Sequence, residues 1–405
     1  MKEQPDRNCQ AVLFLEFPYC CWTGRFVVYN APSQNPYRTG QNMDSLIRTI
    51  VFFIGASIVF ATIFSAISTF VLPRSARSQL NRLVFGLMRR LIEFIMRFAH
   101  TYEQRDAIMA YYAPIALMLL VPTWYVLISI GYSFMYWALR AGDYFFDLRL
   151  SGSSLLTLGF TASEGYLVTI LVFSEAMLGL IMVALLIAYL PTMYSAFSRR
   201  EQAVNMLEVR AGNPPNPFDM LSRFHRIHGM DKLADLWSTW ELWFADVEES
   251  HTTLPALVFF RSPRSDNSWV TSAGAVLDSA AIMQSSIDVP NEMSAALCIR
   301  AGYIALSRVA DYFDISYPEN PRFPDTPISI DRNEYDELIS KLEAAGLPIK
   351  PDREKAWMDF AGWRVNYDRV LLVLCSLVMA PEMPWSSDRA KKFKMPPLFY
   401  KKNRH

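Results

Sequence analysis

Three long stretches of this chain leave little choice of fold. Thr49 to Leu72 and Ala107 to Leu139 contain no charged residue, and Tyr166 to Ser198 contains one, Glu175. A helix needs about 20 apolar residues to cross a bilayer core of about 30 Å. Each stretch meets that length, and the second is long enough to begin in the interface and tilt. None has the form of a cleaved signal peptide, because the first begins too far in and runs too long. The chain is therefore expected to cross a membrane three times.

Charge is distributed accordingly. Only 19% of the 405 residues are charged and 52% are apolar, against roughly 25% charged in ordinary soluble domains. The charges gather after residue 199. A formal net charge of zero removes any bulk electrostatic argument for a nucleic-acid partner. The five cysteines have no metal-ligand spacing. Cys298 and Cys375 lie in apolar helical surroundings and read as small core residues. Cys9, Cys20 and Cys21 are either unpaired thiols in a tail or, on an extracytoplasmic end, disulfide partners.

Basic residues set the topology. Between Pro73 and Asp106 stand Arg74, Arg77, Arg82, Arg89, Arg90, Arg97 and Arg105, against Glu93, Glu103 and Asp106. Basic loops stay cytoplasmic, so the N-terminus is expected outside and the loop Arg140 to Gly165 outside or re-entrant. Arg199 and Arg200 follow the third segment on the inner side. Within the connector, Leu80, Val84, Leu87, Leu91, Ile95 and Phe98 recur at helical spacing, with the arginines mostly off that stripe. The pattern predicts an amphipathic helix on the inner leaflet, or else one packed on the cytoplasmic domain.

The gap between the second and third segments carries the most specific signal. From Asp143 to Leu156 a short helix is expected, and Thr157-Leu158-Gly159-Phe160-Thr161 follows at once. Non-helical backbone at membrane depth is tolerated only where protein buries it or where it lines a water-filled path. A Thr-x-Gly-aromatic core after a short helix, between two spanning segments, resembles the selectivity filter of the tetrameric potassium-channel family with a two-helix pore, bacterial type. The resemblance covers about residues 107 to 198.

That resemblance implies an all-α membrane protein. It would have three transmembrane helices, a re-entrant pore helix and filter, and an all-helical cytoplasmic domain. It implies that Thr157, Leu158, Gly159 and Phe160 coordinate the ion through stacked oxygens, with backbone carbonyls replacing ion hydration. Potassium at those carbonyls is then the only metal expected, and no cofactor. Gly159 supplies the positive φ needed to alternate carbonyl direction. Thr161 stands where the family has a second glycine, and a β-branched residue resists positive φ, so the outermost site is expected to be altered. Monovalent cations, sodium as well as potassium, are the expected cargo. Thr161 and Glu164 would form the pore mouth. Ser153 and Ser154 fall where hydroxyls support the filter. Glu175, an intramembrane carboxylate, would hold the filter from behind through Ser153 or Ser154; a cavity-facing or neutral helix-contact role is the alternative. Gly179 and Pro191 are candidate gating hinges, Gly179 equally a close-packing residue. One filter strand cannot form a cage, so a homotetramer in the cell membrane is implied.

The expected organisation is a tail over 1–44, a membrane helix over 45–72, the connector over 73–106, the pore over 107–198, a helical cytoplasmic domain over 199–388 and a basic tail over 389–405. The run Ala211 to Pro217 is expected to break the helix leaving the membrane. Helices are expected near Met230 to Glu249, Trp269 to Ile287, Asn291 to Phe313, Arg332 to Ala345 and Asp352 to Val378, with Asp331 or Ser329 as a cap and Gly346 as a stop. No dinucleotide or phosphate-loop signature occurs, and no nucleophile motif. His225 and His228 lack a third metal ligand. Asp246, Glu248, Glu249 and His251 form either a cation or proton cluster or a solvated helix end. The basic tail Arg389 to Arg404 is a candidate for anionic lipid contact. The chain thus reads as a non-enzymatic cation channel with an unassigned cytoplasmic partner. The competing reading is a membrane-anchored helical interaction or signalling protein without a pore.

Overall fold

The computed structural model describes residues 37–70, 79–290 and 293–390; for 37–42 and 390 only the backbone is described. Cys9, Cys20, Cys21 and the tail beyond Ala390 lie outside the described residues. The chain divides into two compact units, 1–47 and 48–405. Of the first, only the opening of the first helix is described.

Among the described residues the regular structure is helical, with one isolated β-bridge between Ile287 and Ile349. In chain order the helices are α1 (Tyr37–Phe70), α2 (Gln79–Met96), α3 (Tyr102–Ala110), α4 (Tyr112–Ala138), α5 (Tyr144–Leu155) and α6 (Tyr166–Ala211). There follow α7 (Pro217–Arg226), α8 (Leu233–Thr253), α9 (Trp269–Ser286), α10 (Met293–Tyr312), α11 (Arg332–Ala344), α12 (Arg353–Arg364), α13 (Asp368–Val378) and α14 (Ser387–Ala390).

Among the described residues four helical spans are long and apolar enough to cross a membrane: Met43–Phe70, Tyr102–Ala138, Tyr166–Ala211 and Met293–Tyr312. The sequence led us to expect three. The fourth, α10, packs against α8 and α9, and Cys298, Ile299, Ala305, Leu306 and Val309 on it are completely buried in the C-terminal core.

Local signals account for several boundaries. Asp143 caps α5 by accepting the Phe146 N–H at 2.9 Å. Asp331, not Ser329, caps α11, in a reciprocal capping box with Glu334. Gly346, at φ 91°, closes that helix. The helix expected from Asp352 to Val378 is instead two, α12 and α13, interrupted at Val365–Tyr367. That break lets Tyr367 turn inward and donate its hydroxyl to Asp278 at 2.8 Å.

Three clusters of buried side chains hold the fold. One joins α1, α4, α5 and α6 around Trp124, Tyr136, Leu150 and Leu155. Small residues let α1 and α4 meet closely: a Cβ on Gly55 would lie 2.4 Å from the Gly131 carbonyl oxygen. The largest cluster runs from α2 through α13 and contains Trp237, Phe244, Trp269, Leu277 and Phe360. The third, around Tyr189, Met193 and Leu257, ties the lower part of α6 to the turn at Pro255–Phe259.

Candidate functional site

The short helix α5 lies against both long apolar helices, α4 and α6. Its C-terminal end leads into the Thr157–Thr161 loop. The termination is a Schellman motif: Thr157 N–H bonds the Ser154 carbonyl at 2.9 Å, and Leu158 N–H bonds the Ser153 carbonyl at 2.8 Å. Position C′ of that motif normally holds glycine. Here it is Thr157, at φ 56°, and a β-branched residue is a steric outlier in that region. Gly159, at φ 69°, is the second left-handed residue, whereas Leu158 and Phe160 are not left-handed. The backbone therefore alternates hand along 157–160.

Ser153 anchors this loop three times. Its carbonyl accepts Leu158 N–H and, at 3.3 Å, Gly159 N–H. Its hydroxyl accepts the Thr161 N–H at 3.1 Å. Thr161 keeps a negative φ, so it does not reproduce a second glycine, and its own hydroxyl is buried without a partner. The Thr157 hydroxyl turns to the Leu156 carbonyl at 2.7 Å. Leu158 and Phe160 are 61% and 59% exposed in the single chain. Phe160 lies beneath the Arg149 guanidinium, 5.8 Å from ring centre to Cζ, and does not pack behind the loop of its own chain. Glu164 is exposed beside the start of α6.

A polar clasp fastens α5 to its neighbours. Glu175 of α6 is fully buried. It accepts the Tyr136 hydroxyl from α4 at 2.7 Å and a short hydrogen bond from Ser151 of α5. Ser151 in turn lies 2.9 Å from the Ser129 hydroxyl. Two more tyrosines on α4 bind α6: Tyr132 meets Ser174 at 2.9 Å, and Tyr125 donates to the Gly179 carbonyl at 2.8 Å. The hydroxyl that Glu175 meets is thus Ser151, not Ser153 or Ser154. Ser154 bonds the Leu150 carbonyl of its own helix. Sequence reasoning missed Ser129, Tyr125, Tyr132, Tyr136 and Ser151. The visible signal was the tyrosine spacing on α4, where positions 125, 132 and 136 share one face.

Gly179 is a contact residue: its added Cβ would sit 2.0 Å from the Leu155 carbonyl oxygen, at the end of α5. α6 runs unbroken through Gly179 and Pro191 to Ala211.

Just past the apolar part of α6, Arg200 is buried. It donates to the Leu257 carbonyl at 2.8 Å and the Phe260 carbonyl at 2.7 Å, pairs with Glu201 at 2.7 Å and lies 3.1 Å from His251 Nε2. Burial and the Arg200 charge hold His251 well below the ordinary histidine range. His251 is therefore a neutral core residue and not part of a surface cluster. Asp246 is engaged by Arg199 at 3.0 Å and Glu248 by Arg308. Among the described residues no group of three metal-ligating side chains comes together, and the His225 and His228 pair gains no third ligand. A second buried charge set joins Arg364 to Asp278 and Asp368. Burial raises Asp278 despite the opposing pull of Arg364. Arg389 bonds Glu334 at 2.9 Å, so the first residue of the expected tail is docked.

No protein-family model, curated protein or solved structure matches this chain.

Proposed function

We propose that the chain is one subunit of a homotetrameric channel for monovalent cations, potassium and sodium, in the cell membrane. The carrying observation is the alternation of backbone hand at Thr157–Phe160, directly after a short helix wedged between two membrane-length helices. Alternation turns successive carbonyls toward a common side, which is what a cage of oxygens around a desolvated cation requires. A threonine at a Schellman C′ position is costly where glycine is free, and strain of this kind persists where a side chain is needed. The Thr157 hydroxyl is the group so retained. α5 also aims its carbonyl end at the loop, and that end attracts cations.

In this reading α1, α3 with α4, and α6 span the membrane, and α5 is re-entrant from the outer side. The α7–α14 helices form a cytoplasmic unit, because the arginine-rich connector and Arg199 and Arg200 stay inside. α10 belongs to that unit, since Cys298, Ile299, Ala305, Leu306 and Val309 already have protein partners. The exposed Leu158 and Phe160 meet neighbouring copies. With Thr161 in place of glycine, discrimination between potassium and sodium is weak.

Liposome flux of potassium and of sodium tests the proposal. Both fluxes should appear with the wild type and disappear with Gly159→Val, while cross-linking still reports tetramers. Monomers with no flux of either ion would overturn it and leave a membrane-anchored helical interaction protein.

A further inference from the structure

Helix α2 has two apolar faces, and only one is used by the fold. Met88, Ile92 and Met96 are buried in the core shared with Tyr112 and Ala113 of α4, and Arg89 beside them bonds Glu93 at 2.9 Å. The Phe85 carbonyl is tied to the Tyr112 hydroxyl at 3.3 Å. The helix is therefore pinned and cannot roll to hide its other side. That side exposes Leu83, Leu87, Leu91, Phe94, Ile95 and Phe98, the last 71% exposed. Spacings of 4, 4 and 3 put Leu83, Leu87, Leu91 and Phe94 on one stripe, with Ile95 beside it and Phe98 in the turn that follows the helix. Arg90 on the helix margin and Arg97 in the turn just after it are both exposed beside that stripe.

We infer that this second face lies in the inner leaflet and that Arg90 and Arg97 bind the phosphates of anionic lipid headgroups. Six large apolar side chains side by side in water are unfavourable for a soluble surface. A pinned amphipathic helix with a basic margin fits the boundary between headgroups and acyl chains. It is also continuous along the chain with helices that must meet hydrocarbon: α4, on which α2 packs, exposes Ile115, Met118 and Leu119. Arginine stems reach along the apolar stripe and place their guanidinium groups at phosphate level. The binding does not depend on ion conduction.

The test uses the full chain with Cys9→Ser, Cys20→Ser and Cys21→Ser, reconstituted in bilayers and carrying one nitroxide label. Labels are placed at Leu87→Cys, Leu91→Cys or Phe98→Cys, with Glu93→Cys as the contrasting position. In phosphatidylcholine, the first three should collide with oxygen in preference to a water-soluble nickel chelate, and the fourth should show the reverse. Adding phosphatidylserine should raise the oxygen-to-nickel ratio at Leu91→Cys. The Arg90→Gln, Arg97→Gln double variant should lose that rise, and the Arg90→Lys, Arg97→Lys variant should keep it. Labels shielded from both reagents would mean that a second copy of the chain covers the face, and labels open to nickel would mean water; either overturns the inference. A ratio indifferent to phosphatidylserine would overturn the headgroup assignment.

Discussion

Tyr136 of α4 donates its hydroxyl to Glu175 of α6 at 2.7 Å, within the cluster that joins α1, α4, α5 and α6. Ser151 of α5 completes the carboxyl group's partners. Three helices are therefore joined at one residue, and α5 cannot move without breaking the set.

Removing a donor should expose that dependence. Tyr136→Phe leaves one Glu175 oxygen buried without a partner, at a cost of about 1–3 kcal/mol. Because the two groups touch, Tyr136→Phe and Glu175→Gln should be non-additive by about 0.5–3 kcal/mol. Thermal unfolding of the single and double variants in one detergent checks both numbers. Strict additivity would show that the hydrogen bond contributes nothing.

Gly179→Ala should be more damaging than its size suggests. The new methyl would stand 2.0 Å from the Leu155 carbonyl oxygen, which is backbone and cannot swing away. Overpacking of this kind costs about 1–3 kcal/mol. A lowered melting temperature, together with loss of flux in liposomes, is the expected result. A glycine retained only as a hinge would leave the melting temperature unchanged.

Thr157→Gly should separate stability from function. Glycine removes a left-handed penalty of roughly 1–2 kcal/mol but adds chain entropy to the unfolded state, for a net gain of about 0.5–1 kcal/mol. The variant is expected to melt higher while cation flux falls, since the hydroxyl is gone. Unchanged flux would remove the hydroxyl from the ion path.

The neutral His251 makes stability sensitive to acid. Its folded pKa lies below the unfolded value near 6.5, so below roughly pH 6.5 the unfolded chain binds a proton that the folded chain does not. Stability is then complete above the unfolded pKa and declines as pH falls, by at most about 1.4 kcal/mol per pH unit from this group. Melting curves between pH 7.5 and about 5 should slope less in His251→Asn than in the wild type. Parallel slopes would refute the assignment.

Arg364→Met should be among the most destabilising single changes. It leaves Asp278 and Asp368 without their shared cation in the core, and breaking a buried pair costs about 3–5 kcal/mol. Proteolysis or thermal unfolding of the α7–α14 region within the full chain reads it directly.

Features encoded by neighbours along the chain were legible in the sequence. The membrane-length helices follow from uninterrupted apolar runs. The stop after Ala211 and the cap at Asp331 or Ser329 follow from signals that reach three or four residues; the equally local cap at Asp143 and the Glu334 half of the capping box were not anticipated. The positive φ at Gly159 follows from the only residue that adopts it freely. Other features depend on where helices far apart in sequence cross. Glu175 meets Ser151 and Tyr136, and neither Ser153 nor Ser154, because the rotation of α5 about its axis is set by packing against α4 and α6. Gly179 serves as a contact because the Leu155 carbonyl happens to reach it. α10 has membrane-like composition, yet α8 and α9 bury Cys298, Ile299, Ala305, Leu306 and Val309 on it. The left-handed Thr157 went unseen because threonine argues against that conformation locally, and only the Schellman bonds to Ser153 and Ser154, with the Ser153 anchor on Thr161, outweigh the local preference.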